Sequence, residues 1–411
     1  MQYGCIGEKL SHSFSKEIHE KISDYKYELK ELLKSEVETF IKEKDFKAIN
    51  VTIPYKETVI PYLYKIDEAA KKIGAVNTIV NKNGKLYGYN TDFYGMTELI
   101  KFAGIEIEGK KVLILGSGGT SKTAFAVSET LKAKEIVRVS RSGKDGAITY
   151  EEALKNHTDA EIIINTTPVG MYPNPEDMPI DIECFPNLSG VVDAIYNPLR
   201  SKLVSNALSK GIKATGGLYM LASQAVKASE YFLDTTYPYD TTERIYKEII
   251  SEKENIVLTG MPGAGKTTIG KILAELTGKE FADSDDEITK LGKTPAELIN
   301  EKGEAYFRNI ESEVIKNLSD KTGMVIATGG GAILKEENVS RLKRNGKIVF
   351  INRDLQYINP TSDRPLSADR KALEKRFSER YPIYMKTCDK AVKTESDARK
   401  NAENILEILR G

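Results

Sequence analysis

Cysteine is scarce in this sequence, which has only Cys5, Cys184 and Cys388 among its 411 residues. The three thiols are far apart, odd in number and outside any CxxC pair, so the pattern argues against a disulfide framework and against a zinc site. We expect all three to be small, buried core thiols.

Long apolar runs and a net charge are also missing. No run approaches the roughly 20 residues of a membrane span, and the N-terminal MQYGCIGEKLSHS has no basic segment followed by an apolar one. The 60 basic residues balance the 60 acidic ones, which argues against nucleic acid or an anionic membrane as a partner. We expect a cytoplasmic protein whose partners are small molecules, and the sequence sets no oligomeric state.

The chain does contain a regular alternation of short apolar runs with amphipathic segments. The runs are KAINVTI, KKVLILG, EIVRVS, AEIIINT, GVVDAIY, NIVLTG, GMVIATG and KIVFIN. Apolar strands separated by helical stretches of about ten or more residues indicate parallel sheets covered by helices. The fold class is therefore α/β, in a chain long enough for two or three domains.

A domain boundary is predicted near residue 254. The charged amphipathic stretch TTERIYKEIISEKEN gives way there, almost without a linker, to the strand-like NIVLTG. The predicted domains are residues 1–253 and 254–411.

The loop TGMPGAGKT, Thr259 to Thr267, follows NIVLTG and fits GxxxxGK[ST] in full. In such a P-loop, backbone N–H groups cradle phosphates at a helix N-terminus, the lysine reaches the β and γ phosphates, and the hydroxyl binds Mg²⁺. The helical stretch KTTIGKILAELTG follows directly. Motif and context together predict an ATP and Mg²⁺ site in the second domain.

A similar loop, LGSGGTSKT at Leu115 to Thr123, has Ser121 where the second glycine of a P-loop would stand. Its glycines instead fit GxGGxx, a variant of the dinucleotide fingerprint. About 20 to 25 residues further on, VRVSRS places Arg141 where an acidic residue would bind the ribose of NAD, and a guanidinium suits a 2′-phosphate. NADP(H) is the predicted cofactor; the alternative is an ordinary βα turn followed by a solvated arginine.

Further motifs carry a family resemblance. The first half contains HSFS, NVTIPYK, GAVNT, NTD, GSGGTSK, NTTPVGM and GGLYMLASQA, and the second contains the P-loop, FADSDDEI, AYFRNIE, TGGGA and ERYPIY. Residues 1–253 resemble shikimate dehydrogenase, and residues 254–411 resemble shikimate kinase. The resemblance implies a two-lobed α/β dehydrogenase, with a substrate lobe (about 1–101 and 219–253) and a Rossmann-like NADP lobe (about 102–218), followed by a parallel-sheet P-loop kinase domain.

For the first half, the resemblance implies that Lys56 and Asp92 form the catalytic pair. Reducing a ketone by hydride leaves charge on oxygen, so a positioned ammonium can stabilise that charge and supply a proton, while Asp92 orients the ammonium. The implied substrate-binding residues are Ser13, Ser15, Thr52, Asn77, Asp92, Tyr196 and Gln224. The implied cofactor-binding residues are Gly116, Ser117, Gly118, Gly119, Thr120, Ser140, Arg141 and Gly217.

Other residues of the first half have weaker assignments. Met220 would lie by the nicotinamide, although it and Tyr196 are also explained as packed core residues. Asn165, Thr166 and Gly170 would shape the loop beside the cofactor. Ser140-Arg141-Ser142 replaces the Asn-Arg-Thr that is usual in the family.

For the kinase half, the resemblance implies catalytic roles for Lys266 and Asp285, and Mg²⁺ binding by Thr267 and Asp283. A carboxylate near the attacking hydroxyl can orient it or take its proton; the same acidic cluster also suits helix capping. The implied substrate-binding residues are Asp285, Arg308, Gly330 and Arg380, with the arginines on the carboxylate. The implied ATP-binding residues are Gly263, Ala264, Gly265, Lys266, Thr267, Thr268 and the lid residue Arg364.

The predicted protein is a bifunctional enzyme that reduces 3-dehydroshikimate with NADPH and phosphorylates shikimate with MgATP. Quinate dehydrogenase is the close alternative for the first half, and a kinase for another polyol is the alternative for the second. A ligand-sensing regulator built on degenerate enzyme domains is the alternative of a different class. It predicts lost catalytic groups and a basic appendage, and the sequence has neither feature.

Overall fold

The computed structural model describes residues 1–10, 13–358 and 370–410. The chain divides into two compact units, Met1–Ile249 and Ile250–Gly411. A helix that ends at Lys253 crosses the division.

The first unit begins with a six-stranded sheet. Its strands are β1 (Tyr3–Gly7), β2 (Tyr27–Glu31), β3 (Ala48–Val51), β4 (Lys65–Ile66), β5 (Thr78–Lys82) and β6 (Lys85–Tyr89). They lie in the order β2-β1-β3-β5-β6-β4. The accompanying helices are α1 (Ser15–Ile22), α2 (Lys34–Glu43), α3 (Glu68–Ile73) and α4 (Thr91–Phe102).

This first sheet is mixed, whereas the apolar runs of the sequence indicated parallel strands. β5 runs antiparallel to β3 and to β6. Asn83 and Gly84 join β5 to β6 with φ of +53° and +78°, the positive values that a two-residue type I′ hairpin requires. A hairpin, rather than a crossover helix, therefore makes this connection.

The second sheet of the first unit is entirely parallel. Its strands are β7 (Lys111–Leu115), β8 (Glu135–Val139), β9 (Ile162–Asn165), β10 (Gly190–Asp193) and β11 (Lys213–Thr215), with helices α5 (Gly119–Thr130), α6 (Tyr150–Asn156) and α7 (Lys202–Ser209). The strands lie in the order β11-β10-β9-β7-β8. From β7 the chain adds β8 on one side and then β9, β10 and β11 on the other, so the order of strand addition reverses between β7 and β9. Ligands of open α/β sheets bind at such a reversal, outside the carboxyl ends of the strands. Helices α8 (Leu218–Leu233) and α9 (Thr241–Lys253) complete the unit.

The second unit is one parallel sheet covered by helices. Its strands are β12 (Asn255–Thr259), β13 (Glu280–Asp283), β14 (Met324–Ala327), β15 (Gly346–Asn352) and β16 (Lys390–Lys393), in the order β13-β14-β12-β15-β16. Its helices are α10 (Lys266–Thr277), α11 (Ser284–Thr289), α12 (Pro295–Lys302), α13 (Glu304–Ser319), α14 (Glu336–Asn345), α15 (Arg370–Thr387) and α16 (Ala398–Arg410).

All eight apolar runs singled out in the sequence contain strands, namely β3, β7, β8, β9, β10, β12, β14 and β15. The α/β class is thus confirmed. The residues of β7, β9, β10 and β12 are buried throughout, as expected for parallel strands covered on both faces.

The cysteines follow the prediction only in part. Cys5 is buried and Cys388 is half-buried, but Cys184 is exposed, because it ends a short 3₁₀ turn, Ile182–Cys184, near the surface. Over the described ranges, no three His, Cys, Asp or Glu side chains group as metal ligands. Within the same ranges, every helix is too short or too polar to cross a membrane.

A buried histidine makes the first unit sensitive to acid. His19 on α1 is fully buried; its ring stacks on Tyr27 with 4.0 Å between centroids, and its Nδ1 is 2.6 Å from the Tyr25 hydroxyl. Burial lowers the pKa of His19 to about 3, and a hydrogen bond with Asn50 offsets part of that shift. In the unfolded chain His19 therefore takes up a proton as the pH falls below about 6.5, whereas in the folded unit it stays neutral until about pH 3.

We predict that the first unit loses stability as the pH falls below about 6.5, by about 1.4 kcal/mol per pH unit from His19 alone. At pH 5 the loss is about 2 kcal/mol. His19→Gln retains a partner for the Tyr25 hydroxyl but does not titrate, so its stability should fall less with pH. Hydrogen exchange of peptides from α1 and β2 at pH 7 and 5, corrected for intrinsic rates, measures this difference. An equal fall in wild type and variant would contradict the prediction.

Candidate active sites

Lys56 and Asp92 meet beside the first sheet. Lys56 lies in the turn after β3, and Asp92 lies in the first turn of α4. The Lys56 Nζ donates to Asp92 Oδ2 at 2.5 Å, and the two side chains are only 13% and 10% exposed. The structure thus brings together the two residues predicted to be the catalytic pair.

Two residues predicted to bind substrate, Asn77 and Gln224, make internal hydrogen bonds in this structure. Asn77 Oδ1 accepts from the Thr91 backbone N–H at 2.7 Å, and Asn77 Nδ2 donates to Thr91 Oγ1 at 3.0 Å. Gln224 Oε1 accepts from Thr91 Oγ1 at 3.3 Å, while Gln224 Nε2 donates to the Leu221 carbonyl at 3.0 Å. Asn77 and Gln224 therefore hold the first turn of α4, where Asp92 lies.

A small polar group surrounds the start of α1. Ser13 Oγ donates to Ser15 Oγ at 3.0 Å, and the ring of Tyr196 lies 5.4 Å from that of Phe14. Burial raises the pKa of Tyr196, and a hydrogen bond with Ser13 partly offsets this. Ser13, Ser15 and Tyr196 are thus neighbours, as substrate-binding residues should be. Thr52 follows β3, and its N–H donates to the Ile6 carbonyl at 2.9 Å.

A buried carboxylate fixes the loop that carries Tyr196. Asp193 accepts from Asn165 Nδ2 at 3.0 Å, from the Ile195 N–H at 3.0 Å and from Ser201 Oγ at 2.5 Å. Burial raises the pKa of Asp193 to about 6, although these donors act in the opposite direction. Asn165, predicted to shape the loop beside the cofactor, therefore acts here by anchoring the end of β10.

The first glycine loop turns sharply at the carboxyl end of β7. Gly116 has φ +118°, and a Cβ there would lie 2.5 Å from Thr166 Oγ1. Gly118 is the N-cap of α5, and a Cβ on Gly119 would lie 3.6 Å from Lys56 Cδ. The loop therefore lies next to Lys56, and residues with side chains in place of these glycines would fill the turn. Thr120 follows in the first turn of α5.

A cavity of about 290 Å³ opens beside this loop. Three cations, Lys122, Arg138 and Lys144, line it together with two acids, Glu57 and Asp145, and with Gly116 and Ser117. Lys122 forms an ion pair with Glu57 at 2.7 Å, and Arg138 Nη2 donates to the Asp145 carbonyl at 2.6 Å. Three cations next to a glycine turn and a helix N-terminus suit the phosphates of a dinucleotide.

The predicted adenine-side residues lie elsewhere. Ser140 is buried and its Oγ accepts from the Gly143 N–H at 3.1 Å, so it holds the turn after β8. Arg141 is exposed and does not line the cavity described above. Burial raises the pKa of Tyr150, and the positive charge of Arg141 offsets part of that rise.

Gly217 and Met220 have structural roles in this arrangement. The Gly217 N–H donates to the Ile195 carbonyl at 2.8 Å, and a Cβ on Gly217 would collide with the Ala194 carbonyl. Met220 is buried among the core side chains of the second sheet. The interpretation of Met220 as plain core therefore agrees with its surroundings.

The P-loop of the second unit connects β12 to α10. Gly263 and Gly265 have φ of +82° and +94°, Ala264 between them is buried, and Thr268 is exposed in the first turn of α10. Lys266 Nζ donates to the carbonyls of Gly260 and Met261, both at 3.0 Å. The predicted lid residue Arg364 lies outside the described residues.

Thr267 and Asp283 form a candidate magnesium site. Thr267 Oγ1 donates to Asp283 Oδ2 at 2.6 Å, and Asp283 Oδ1 accepts from the Asp285 N–H at 3.0 Å, which caps α11. The helix cap thus uses Oδ1, and Oδ2 is the oxygen on the side of Thr267. Mg²⁺ is usually held by one or two carboxylates together with substrate phosphates and water, so these residues fit the ion.

Two arginines, Arg308 on α13 and Arg380 on α15, are the predicted carboxylate-binding residues. Arg308 Nη1 donates to Glu311 Oε2 at 2.7 Å, and Arg308 Nη2 donates to Glu304 Oε1 at 2.8 Å. Arg380 is buried, and its Nη1 donates to the Gly330 carbonyl at 3.0 Å. Burial raises the pKa of the Glu311 carboxyl, and Arg308 partly offsets this.

One cavity of about 460 Å³ joins these groups. It is lined by predicted residues from the P-loop, the acidic cluster, the glycine turn after β14 and the arginine helices, namely Gly263, Gly265, Lys266, Thr267, Thr268, Asp283, Asp285, Arg308, Gly330 and Arg380. The phosphate loop, the two aspartates and the two arginines therefore face the same space.

The cavities also contain residues that the sequence reasoning missed. Glu311 and Arg376 line the larger one, and Lys122, Arg138 and Lys144 line the smaller one. Helical spacing gives a signal for the first two, because Glu311 is three residues after Arg308 and Arg376 is four residues before Arg380. The three cations of the smaller cavity do not lie on one helix, so helical spacing does not connect them with one another.

The fold and these sites define a two-lobed nucleotide-dependent dehydrogenase joined to a P-loop kinase. The family model for the shikimate dehydrogenase substrate binding domain matches residues 5–79, and the shikimate kinase model matches residues 262–410. A shikimate dehydrogenase (NADP⁺) of Clostridium perfringens is 40% identical over 264 residues, which cover 60% of this chain and 97% of that protein.

Solved structures agree with this similarity. Shikimate dehydrogenase 1 from Peptoclostridium difficile is 38% identical, has a TM-score of 0.57 and covers 61% of this chain and 98% of its own. The Thermus thermophilus shikimate 5-dehydrogenase, in complex with NADP(H) and shikimate, is 28% identical with a TM-score of 0.54, and covers 60% of this chain and 99% of its own. This chain is an enzyme of the shikimate dehydrogenase family that carries a shikimate kinase domain in its C-terminal part.

Proposed function

We propose that the chain is a bifunctional enzyme that catalyses two successive reactions. The first unit reduces 3-dehydroshikimate to shikimate with NADPH, and the second unit phosphorylates the 3-hydroxyl of shikimate with MgATP. The observation that carries the kinase half is the single cavity in which Lys266, Asp285 and Arg380 face one another. A phosphate loop, an acidic group and a carboxylate-binding group are the three parts that phosphorylation of a hydroxy acid requires.

In the dehydrogenase half, the cofactor is NADP(H), which supplies the hydride when bound. Lys56 stabilises the negative charge that develops on the ketone oxygen and gives a proton to that oxygen. Asp92 holds the Lys56 ammonium at 2.5 Å and so fixes its direction. The hydroxyl groups of Ser13 and Ser15 donate hydrogen bonds to the substrate carboxylate, and the ring of Tyr196 closes that side of the pocket.

Cofactor binding in this half relies on the glycine loop and on the cavity beside it. The turn at Gly116 leaves room for a pyrophosphate against the N-terminus of α5, and Lys122 and Lys144 supply positive charge. The preference for NADP over NAD rests on Arg141 and on the added cations Arg138 and Lys144.

In the kinase half, ATP supplies the phosphoryl group and Mg²⁺ offsets its charge when both are bound. Lys266 and the backbone of the P-loop bind the phosphates, and Thr267 and Asp283 hold the metal. Asp285 orients the attacking hydroxyl or takes its proton. Arg308 and Arg380 bind the substrate carboxylate.

Two separate assays of the full chain test this proposal. Shikimate with NADP⁺ and no ATP should give NADPH, and shikimate with MgATP and no NADP⁺ should give ADP and shikimate 3-phosphate. If the first assay succeeds and the second gives no phosphorylated product, the chain acts as a dehydrogenase only.

Quinate is the substrate that tests the alternative for the first half. It carries one more ring hydroxyl than shikimate, so a site shaped for shikimate should oxidise it with a much lower kcat/KM. Equal values for quinate and shikimate would favour a quinate dehydrogenase and contradict the proposed substrate.

A further inference from the structure

A third arginine lies in the kinase cavity. Arg376 is one helical turn before Arg380 on α15, and both side chains line the cavity together with Arg308 from α13. The sequence motifs assign the carboxylate to Arg308 and Arg380 only, and Arg376 belongs to neither motif.

Holding three guanidinium groups this close has a cost in stability. Like charges at i and i+4 on a helix destabilise it. The pKa of Arg376 is lowered first by burial and then by the positive charges of Arg380 and Arg308, with Glu304 and Glu379 acting in the opposite direction. The charges that act on Arg376 thus come from α13 and α15.

Three carboxylates, Glu304, Glu311 and Glu379, act on these three arginines. Glu311 and Glu304 both accept from Arg308, and Arg380 donates to the Gly330 carbonyl rather than to an acid. Asp283 and Asp285 line the same cavity. An anionic group of the ligand is expected where the guanidinium groups face the cavity rather than beside these carboxylates.

We propose that Arg376 is a specificity-determining residue of the kinase half, which binds the carboxylate of a cyclic hydroxy acid together with Arg380. The inference rests on the proposed kinase function and goes beyond it by adding a third cation to the carboxylate site. ATP phosphates are the other anions that enter this cavity. They bind at the P-loop, whereas the charged neighbours of Arg376 belong to the arginine helices.

The test compares Arg376→Leu with wild type in the full chain. Phosphorylation is followed by ADP release without NADP(H), so that the dehydrogenase half is silent. The KM for shikimate should rise about 10- to 100-fold, the change expected when a hydrogen bond between charged groups is lost. The KM for ATP and the kcat at saturating shikimate should stay near wild type, which also shows that the kinase unit is folded.

A neutral substrate and two further variants sharpen the test. The methyl ester of shikimate has no carboxylate charge, so Arg376→Leu should raise its KM far less than that of shikimate. Lys375→Leu removes a charge from the neighbouring, exposed position of α15 and should change both KM values by no more than about threefold. Arg376→Lys should restore part of the affinity for shikimate.

Three results would overturn the inference: an unchanged KM for shikimate, an equal rise for shikimate and its ester, or a rise in the KM for ATP instead. If wild type itself forms no shikimate 3-phosphate, the proposed function fails, whatever Arg376 does. If wild type is active and Arg376→Leu retains its KM, only the role of Arg376 fails.

Discussion

Lys56→Ala is expected to lower the kcat of shikimate oxidation by about 10²- to 10⁴-fold, the usual contribution of a positioned general acid or base. Lys56 is the group that Asp92 holds at 2.5 Å beside the first glycine loop. Alanine removes the group that exchanges a proton with the substrate oxygen, taking it in oxidation and giving it in reduction, and the positive charge that stabilises a negatively charged oxygen in the transition state. Initial rates of NADP⁺ reduction with shikimate measure the effect.

Two controls separate a catalytic role of Lys56 from a structural one. Lys71→Ala removes an exposed lysine of α3 in the same unit and should retain the wild-type rate. The kinase rate of Lys56→Ala should also be unchanged, because Lys56 lies in the other unit. A variant that keeps most of its dehydrogenase kcat would remove Lys56 from the reaction.

Lys266→Ala is expected to slow the kinase reaction and to leave the dehydrogenase reaction unchanged. The loss of a preorganised cation at the transferring phosphoryl group should lower the kinase kcat by about 10²- to 10³-fold. The dehydrogenase rate should not change. ADP release with shikimate, and NADP⁺ reduction in a separate assay, give the two numbers.

The matched control for this second prediction lies on the same helix. Lys271 is an exposed residue of α10, so Lys271→Ala changes the charge of α10 without touching the P-loop. It should phosphorylate shikimate at the wild-type rate. If Lys266→Ala and Lys271→Ala have equal effects, the P-loop lysine has no special role in phosphoryl transfer.

Local sequence patterns predicted most of the strands but not every pairing. The run KKVLILG is apolar throughout and forms β7, buried on both faces of a parallel sheet. β5 and β6 were not predicted, because their sequences, TIVNK and KLYGY, mix polar and apolar residues. The Asn83-Gly84 pair between them is a strong hairpin signal and could have corrected the prediction of parallel strands.

The sites depended on contacts between residues that are distant in sequence. Spacing along the chain cannot pair Lys56 with Asp92, because the sheet and the start of α4 bring them together; the family resemblance supplied this pair. Arg376 shows the opposite case. Its helical spacing to Arg380 is visible in the sequence, but only the folded structure shows that both residues line one cavity.

The positive charge of the smaller cavity shows a third limit of the sequence analysis. The fingerprint motif singled out Arg141, which is exposed, whereas Arg138, three residues earlier in the stretch VRVSRS, lines the cavity. Alternation along a strand puts neighbouring residues on opposite faces, and the turn after β8 decides which cation faces the loop. That turn is held by Ser140 and Gly143, a detail that the motif does not contain.

One incubation tests the central claim, that a single chain carries out both reactions. Purified protein is supplied with 3-dehydroshikimate, NADPH and MgATP, and the products are identified by mass spectrometry. We predict oxidation of NADPH together with the appearance of shikimate 3-phosphate. Oxidation of NADPH with accumulation of shikimate and no phosphorylated product would contradict the account.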